Sequence, residues 1–141
     1  MKKNFLFALV FLAFFLPGLL TTVFAQNEPV LYFCEKYDSK KGEVGVSDRF
    51  TTGYLTVMVK ADNPLDLEDV HIQFDKLNER NNKFEFYKKF DYSIDPDMSY
   101  VYFAKNSDSD LKFEEPGFYR VFLLDDNDRT VASALIEIIP K

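Results

Sequence analysis

The sequence predicts an all-β domain, folded as a sandwich of about seven strands, behind an N-terminal signal peptide. Three observations support this prediction. Apolar and polar residues alternate with a period of two in seven short segments, no window shows a sustained helical period, and turn-forming residues separate the segments. Short strands at regular spacing, with turns between them, are typical of β-sandwiches and β-barrels.

The N-terminus has the three parts of a secretory signal peptide. Lys2 and Lys3 form a positive n-region, residues 5–20 form an apolar run, and a V-x-A sequence ends at residue 25. The run is shorter than the roughly 20 residues that a helix needs to cross a bilayer. We therefore expect residues 1–25 to be removed on export to a periplasm or the extracellular space, in the style of a bacterial signal peptide. The mature chain, residues 26–141, is then a single domain without a stable membrane span.

Charge and cysteine content narrow the class of partner. Removal of Lys2 and Lys3 leaves 15 basic and 23 acidic side chains, a net charge of −8. A surface of this charge without a basic stripe disfavours nucleic acid and anionic lipid, and favours a neutral or basic partner. The single cysteine, Cys34, allows no intramolecular disulfide. A buried thiol is the favoured interpretation of Cys34, and pairing between two chains is the alternative.

The predicted strands follow one another with polar turns between them. They span residues 30–37, 53–61, 67–74, 83–90, 99–104, 118–124 and 130–139. Asp, Asn, Gly and Pro dominate the connections, as turn geometry requires. In the fourth strand, Phe84 and Phe86 share one face and Tyr87 lies on the other. The segment 42–53 is either an irregular connection or a bulged edge strand.

The start of the sixth strand carries a distinctive pattern. Gly117, Tyr119 and Val121 occupy alternate positions directly after Pro116. This G-x-Y-x-V pattern resembles the tyrosine corner of immunoglobulin-like domains, in which the tyrosine hydroxyl bonds to the backbone upstream. The resemblance implies an immunoglobulin-like or fibronectin-like β-sandwich. The chain has no tryptophan and no cysteine pair, so it departs from the antibody type. A fold of this class does not specify a function.

The residues offer little support for catalysis. His71 is the only histidine, it falls on the polar face of the third strand, and no serine or cysteine motif accompanies it. A hydrolytic triad would have to use His71, and a zinc site would need further His or Cys ligands. We therefore predict no catalytic centre, no cofactor and no metal site, with His71 exposed to solvent. Turn formation explains the acidic loops, and Ca²⁺ binding is the alternative for them; the residues concerned are Asp95, Asp97, Asp108, Asp110, Asp125, Asp126 and Asp128.

The aromatic residues of the fourth and fifth strands are the candidate binding surface. The group consists of Tyr87, Phe90, Tyr92, Tyr100 and Tyr102. Tyrosines alternate with Val and Phe in the fifth strand, so both of its faces are apolar or aromatic. One face must be core, and the other can form an exposed stripe that receives a protein or stacks on sugar rings. The alternative is that loops cover the stripe, or that half-buried tyrosines reach water with their hydroxyls.

The sequence thus predicts an exported, non-catalytic binding or accessory module of a bacterial envelope or extracellular assembly, with a protein partner. A carbohydrate-binding module that uses surface aromatics is the alternative. An enzyme would need Cys34 or His71 in a cleft with carboxylates. A flat apolar patch would favour the first function, exposed aromatics in a row the second, and a polar pocket around His71 the third.

Overall fold

The structure, a computed structural model, describes residues 28–141, so the predicted signal peptide lies outside the described residues. Strands make up 59% of these residues and no helix occurs among them, which confirms the all-β prediction. The strands are β1 Val30–Cys34, β2 Lys36–Asp38, β3 Gly42–Val44, β4 Arg49–Thr51, β5 Gly53–Tyr54, β6 Thr56–Lys60, β7 Asp69–Asn78, β8 Lys83–Ser93, β9 Tyr100–Phe103, β10 Lys112–Phe113, β11 Gly117–Leu124 and β12 Thr130–Ile139.

Two sheets contain most of these strands. The larger sheet has the order β4-β12-β11-β7-β8, and the smaller has the order β1-β6-β9. Neighbouring strands are antiparallel except β4 and β12, which run parallel. The short pairs β2–β3 and β5–β10 complete the described strands. The β2–β3 hairpin turns at Asp38, whose carboxylate accepts the N–H groups of Lys40 and Lys41 at 2.8 and 3.0 Å.

The core lies between the two sheets, because every second residue of each strand points toward the other sheet. The larger sheet contributes Ile72, Phe74 and Val121, which are fully buried. The smaller sheet contributes Phe33 and Val57, and all five residues belong to one hydrophobic cluster. This packing of two sheets on one apolar core is consistent with a β-sandwich.

An aromatic group joins β10 to the larger sheet. The ring of Phe113 stacks on the ring of Phe74 with centroids 4.5 Å apart, and meets the ring of Tyr119 edge-on at 5.0 Å. The hydroxyl of Tyr119 donates a hydrogen bond of 2.7 Å to the backbone carbonyl of Glu115. The hydroxyl–backbone contact predicted for Tyr119 is therefore present.

All seven predicted segments contain strands, and three further strands were not predicted. The first segment divides into β1 and β2, and the second divides into β5 and β6. The additional strands β3, β4 and β10 are only two or three residues long, too short for alternation to be visible. Within the segment 42–53, β4 is an edge strand of the larger sheet rather than an irregular connection. Among residues 28–141 there is no apolar helix of membrane-spanning length.

Candidate functional site

Four tyrosines lie together on the side of the smaller sheet that faces away from the core. Tyr100 and Tyr102 alternate along β9 with buried core residues, so their rings point outward. Tyr32 of β1 lies on the same side, because Met58 of β6 is paired in register with both Tyr32 and Tyr102. Tyr37 of β2 joins them. We call Tyr32, Tyr37, Tyr100 and Tyr102 the tyrosine face.

The β2–β3 hairpin folds over part of this face. The ring of Tyr37 stacks on that of Tyr102 with centroids 4.5 Å apart and planes 14° apart, and it meets Tyr100 edge-on at 6.2 Å. Cys34 and Met58 lie on the outward side of the sheet yet have no exposed surface. The backbone of both hairpin strands approaches the Cys34 thiol, and burial raises the pKa of that thiol. The prediction that Cys34 is buried is confirmed.

Glu43 of β3 connects the hairpin to the tyrosine face. Its carboxylate accepts hydrogen bonds from the hydroxyls of Tyr100 and Tyr32, and these bonds lower the pKa of Glu43. Burial, followed by the hydrogen bond to Glu43, raises the pKa of Tyr100 to about 12. The same two causes raise the pKa of Tyr32. A charged carboxylate held by two neutral hydroxyls thus fastens the hairpin over Cys34 at neutral pH.

Loss of the Glu43 carboxylate is expected to open the hairpin. In Glu43→Ala both tyrosine hydroxyls lose their acceptor, so Cys34 should react roughly tenfold faster with an aromatic disulfide reagent under native conditions. The reaction is followed by the absorbance of the aromatic thiolate that the reagent releases. Glu85→Ala is the matched control, since Glu85 is an exposed glutamate that accepts two side-chain hydrogen bonds on β8. Equal rates in the two variants would show that another contact closes the hairpin.

The five residues predicted as one binding surface are divided between the two sheets. Tyr87, Phe90 and Tyr92 lie on β8 and are half-buried against the core. The ring of Tyr92, for example, packs edge-on against a core phenylalanine of β9 with centroids 5.0 Å apart. Tyr100 and Tyr102 are the exposed members, at 38% and 51%. The structure therefore does not bring the five together: β8 turns its tyrosines inward, while β9 turns them outward.

A second apolar surface lies on the outer side of the larger sheet. Phe86, Phe118 and Leu135 are exposed by 66%, 47% and 57%. Leu135 is paired in register with Arg120, Arg120 with Asp75, and Asp75 with Phe86. A row of side chains therefore crosses four strands, and Phe118 lies beside it on the same strand as Arg120. We call Phe84, Phe86, Phe118, Phe122 and Leu135 the phenylalanine face.

Arg120 lies at the centre of the phenylalanine face. Its guanidinium carbon is 4.5 Å from the ring centroid of Phe84 and 5.9 Å from that of Phe122, within cation–π range. No ion pair among residues 28–141 includes Arg120. The guanidinium group of Arg120 therefore lies against aromatic rings and remains exposed to solvent. The face thus combines apolar area with one accessible cation.

Sequence reasoning missed the phenylalanine face. It placed Phe84 and Phe86 on one side of the fourth strand without deciding which side is inward. A signal was present in the sixth strand, where both alternating sets are largely apolar: Tyr119 and Val121 on one side, Phe118 on the other. Two apolar faces on one strand mean that one of them is exposed unless a further layer covers it.

His71 lies beside an open, acidic groove of about 660 Å³. Its Nδ1 atom is 2.7 Å from the carboxylate of Asp91, and its Nε2 atom is 3.8 Å from that of Asp128. The side chain is 20% exposed, so it is less accessible than the sequence predicted. Both ring nitrogens face carboxylates, whereas a hydrolytic triad needs one of them on a hydroxyl or thiol.

Two of the acidic loop residues, Asp125 and Asp95, use their carboxylates to form turns. Asp125 accepts the backbone N–H groups of Asn127 and Arg129, at 2.9 and 2.8 Å, and these bonds lower the pKa of Asp125. Asp95 accepts the N–H of Asp97 at 3.1 Å. Turn formation was the favoured explanation for these residues. In the part of the chain that the structure describes, no group of three or more His, Cys, Asp or Glu is arranged to hold a metal ion.

Comparison with known proteins adds no family to this picture. No protein-family model and no curated protein sequence matches this chain.

Proposed function

We propose that this protein is an exported, non-catalytic module that binds a protein partner, as an accessory or structural subunit of an envelope or extracellular assembly. The exposure of Phe86, Phe118 and Leu135 on one sheet face is the observation that carries this proposal. Soluble monomers seldom expose large contiguous apolar patches, and such patches mark interaction sites. Aromatic residues and arginine are enriched at protein interfaces, and Arg120 lies at the centre of this face.

The strand order supports an immunoglobulin-like sandwich as the framework of the module. Strands β1, β6 and β9 take the places of strands A, B and E, while β7, β11 and β12 take those of C, F and G. The hydrogen bond from Tyr119 to the Glu115 carbonyl has the form of a tyrosine corner. In this framework the phenylalanine face is the outer side of the sheet that contains C, F and G.

Export is proposed from the N-terminal sequence. The positive residues Lys2 and Lys3, the apolar run 5–20 and the V-x-A ending form a secretory signal. The acidic side chains of the mature chain keep the rest of its surface hydrated, which favours solubility while the phenylalanine face binds its partner.

A photo-crosslinking pair tests the proposed docking face. We expect p-benzoylphenylalanine at position 135, in the protein expressed in its source organism, to capture one stoichiometric partner after irradiation. The same amino acid at position 46 is the matched control, because Val46 is exposed by 58%, as much as Leu135, but lies outside the face. Mass spectrometry identifies the captured chain. Equal capture at both positions, or none at position 135, would exclude the phenylalanine face as the docking surface.

Carbohydrate binding is the second candidate function, favoured by the exposed rings of Tyr100 and Tyr102. Aromatic rings in a row can stack on the apolar faces of sugars. Tyr37 covers one side of the Tyr102 ring, which leaves less aromatic area than the phenylalanine face offers. A glycan array with the wild type and with Tyr102→Ser separates the two functions, because only a carbohydrate-binding module would bind glycans and lose them in this variant.

A further inference from the structure

The outer edge of β9 is an open edge of the smaller sheet. Within residues 28–141, β9 pairs with β6 and with no strand on its other side. The N–H of Ala61 donates to the carbonyl of Ser99 at 2.7 Å, so Ser99 belongs to a hydrogen-bonded pair of the β6–β9 ladder. Such pairs alternate along antiparallel strands. The N–H and C=O groups of Tyr100 and Tyr102 therefore point away from β6, toward the open side.

This edge lacks two of the features with which proteins protect an edge strand, a charged side chain and a β-bulge. Charged side chains and β-bulges deter pairing with other chains. The edge strand β8 has both, with Lys88, Lys89 and a register shift opposite Phe74 and Asp75. The edge strand β4 begins with Arg49. Strand β9, by contrast, has the sequence YVYF, without a charge or a bulge. Its shortness limits an added strand to the four backbone groups of Tyr100 and Tyr102.

The groove beside this edge is acidic. It has a volume of about 770 Å³, and its lining includes Glu68, Asp95, Met98, Tyr100 and Tyr102. No ion pair among the described residues includes Glu68 or Asp95. A second copy of this acidic chain would bring these carboxylates close to their own counterparts. A segment with lysine or arginine would instead complement them.

We propose that the open edge of β9 binds an extended, lysine- or arginine-bearing peptide segment as an added antiparallel or parallel strand. The backbone of Tyr100 and Tyr102 supplies two donors and two acceptors, as in β-strand addition. Glu68 and Asp95 pair with the basic side chains, and Met98 contacts the apolar ones. This site is separate from the phenylalanine face, which lies on the other sheet, so the two bind independently.

Selection from a phage-displayed library of random 12-residue peptides tests the proposal. The exported protein, purified and immobilised through a C-terminal tag, is the target. We expect enriched peptides in which apolar residues alternate and lysine or arginine recurs. Their synthetic forms should protect the N–H groups of Tyr100 and Tyr102 from hydrogen exchange. Enrichment of acidic or uncharged peptides, no enrichment, or protection elsewhere would overturn the proposal.

A proline substitution tests the backbone contact directly. In Tyr102→Pro the edge loses an outward N–H, but the ladder with β6 loses none, so the fold tolerates the change. We expect this variant to bind a selected peptide roughly tenfold more weakly than Tyr102→Thr, the matched control, which keeps the N–H. Leu135→Ser should bind the peptide as the wild type does, and this result separates the site from the phenylalanine face. Equal affinities of the proline and threonine variants, or dimerisation of the wild type that Tyr102→Pro abolishes, would overturn the proposal in favour of other contacts or a second copy.

Discussion

Replacement of Phe113 by alanine is expected to lower the free energy of unfolding by about 3–5 kcal/mol. Phe113 has no exposed surface, and it contacts Phe74 and Tyr119 at centroid distances of 4.5 and 5.0 Å. Alanine would leave a cavity between these rings. Strand β10 has only two residues and pairs with β5 alone, so few hydrogen bonds hold it once the ring is lost. The ring of Phe113, together with the buried side chain of Leu111, thus attaches the chain before β11 to the core.

Urea unfolding, followed by tyrosine fluorescence, measures this effect. Phe86→Ala is the matched control, because it removes the same ring from a position that is 66% exposed. The control should change the free energy of unfolding by no more than about 0.5 kcal/mol. A loss in Phe113→Ala as small as that in Phe86→Ala would show that β10 packs loosely against the sheets.

Tyr119→Phe is expected to cost about 1–3 kcal/mol of folding stability. The substitution keeps the ring, which has no exposed surface, and removes only the hydroxyl that donates to the Glu115 carbonyl at 2.7 Å. The carbonyl would lose its partner at the point where the chain turns into β11. Differential scanning calorimetry of the two proteins measures the loss. A variant as stable as the wild type would mean that water replaces the hydroxyl without cost.

The hydroxyl of Tyr119 also makes the free energy of unfolding vary with pH in the alkaline range. Burial raises the pKa of Tyr119 above its ordinary value near 10. Above pH 10 the tyrosine loses its proton in the unfolded chain but keeps it in the folded one. Its contribution to stability is therefore complete below pH 10 and declines as the pH rises, by up to about 1.4 kcal/mol per pH unit. The slope of unfolding free energy against pH above 10 should be smaller by this amount in Tyr119→Phe, and equal slopes would contradict the shift.

The two proposed binding surfaces are separable by mutation because they lie on different sheets. The phenylalanine face uses side chains of the larger sheet, whereas the open edge uses the backbone of β9 in the smaller sheet. Leu135 and Tyr102 therefore serve as controls for each other. A protein that loses both functions in either variant would have a single, shared surface.

The sequence by itself determined the all-β class, the location of seven strand segments and the hydroxyl–backbone contact of Tyr119. These features depend on local patterns. Alternation with a period of two identifies a strand wherever five or more residues display it. The G-x-Y-x-V pattern marks a tyrosine whose hydroxyl bonds to a backbone carbonyl a few residues earlier in the chain, here that of Glu115. Cys34 could also be predicted as buried, since a lone thiol in an apolar strand is seldom exposed.

Only the tertiary structure decided which side of β8 and which side of β9 face the core. Along β8 the register shifts by one residue opposite Phe74 and Asp75, so a bulge, and not the alternation alone, decides which of its aromatics are inward. Tyr87 consequently packs on the core and Phe86 is exposed. The β2–β3 hairpin lies over Cys34, and Glu43 of the hairpin accepts hydrogen bonds from tyrosines of two other strands. Contacts of this kind join residues far apart in the chain, and no local pattern encodes them.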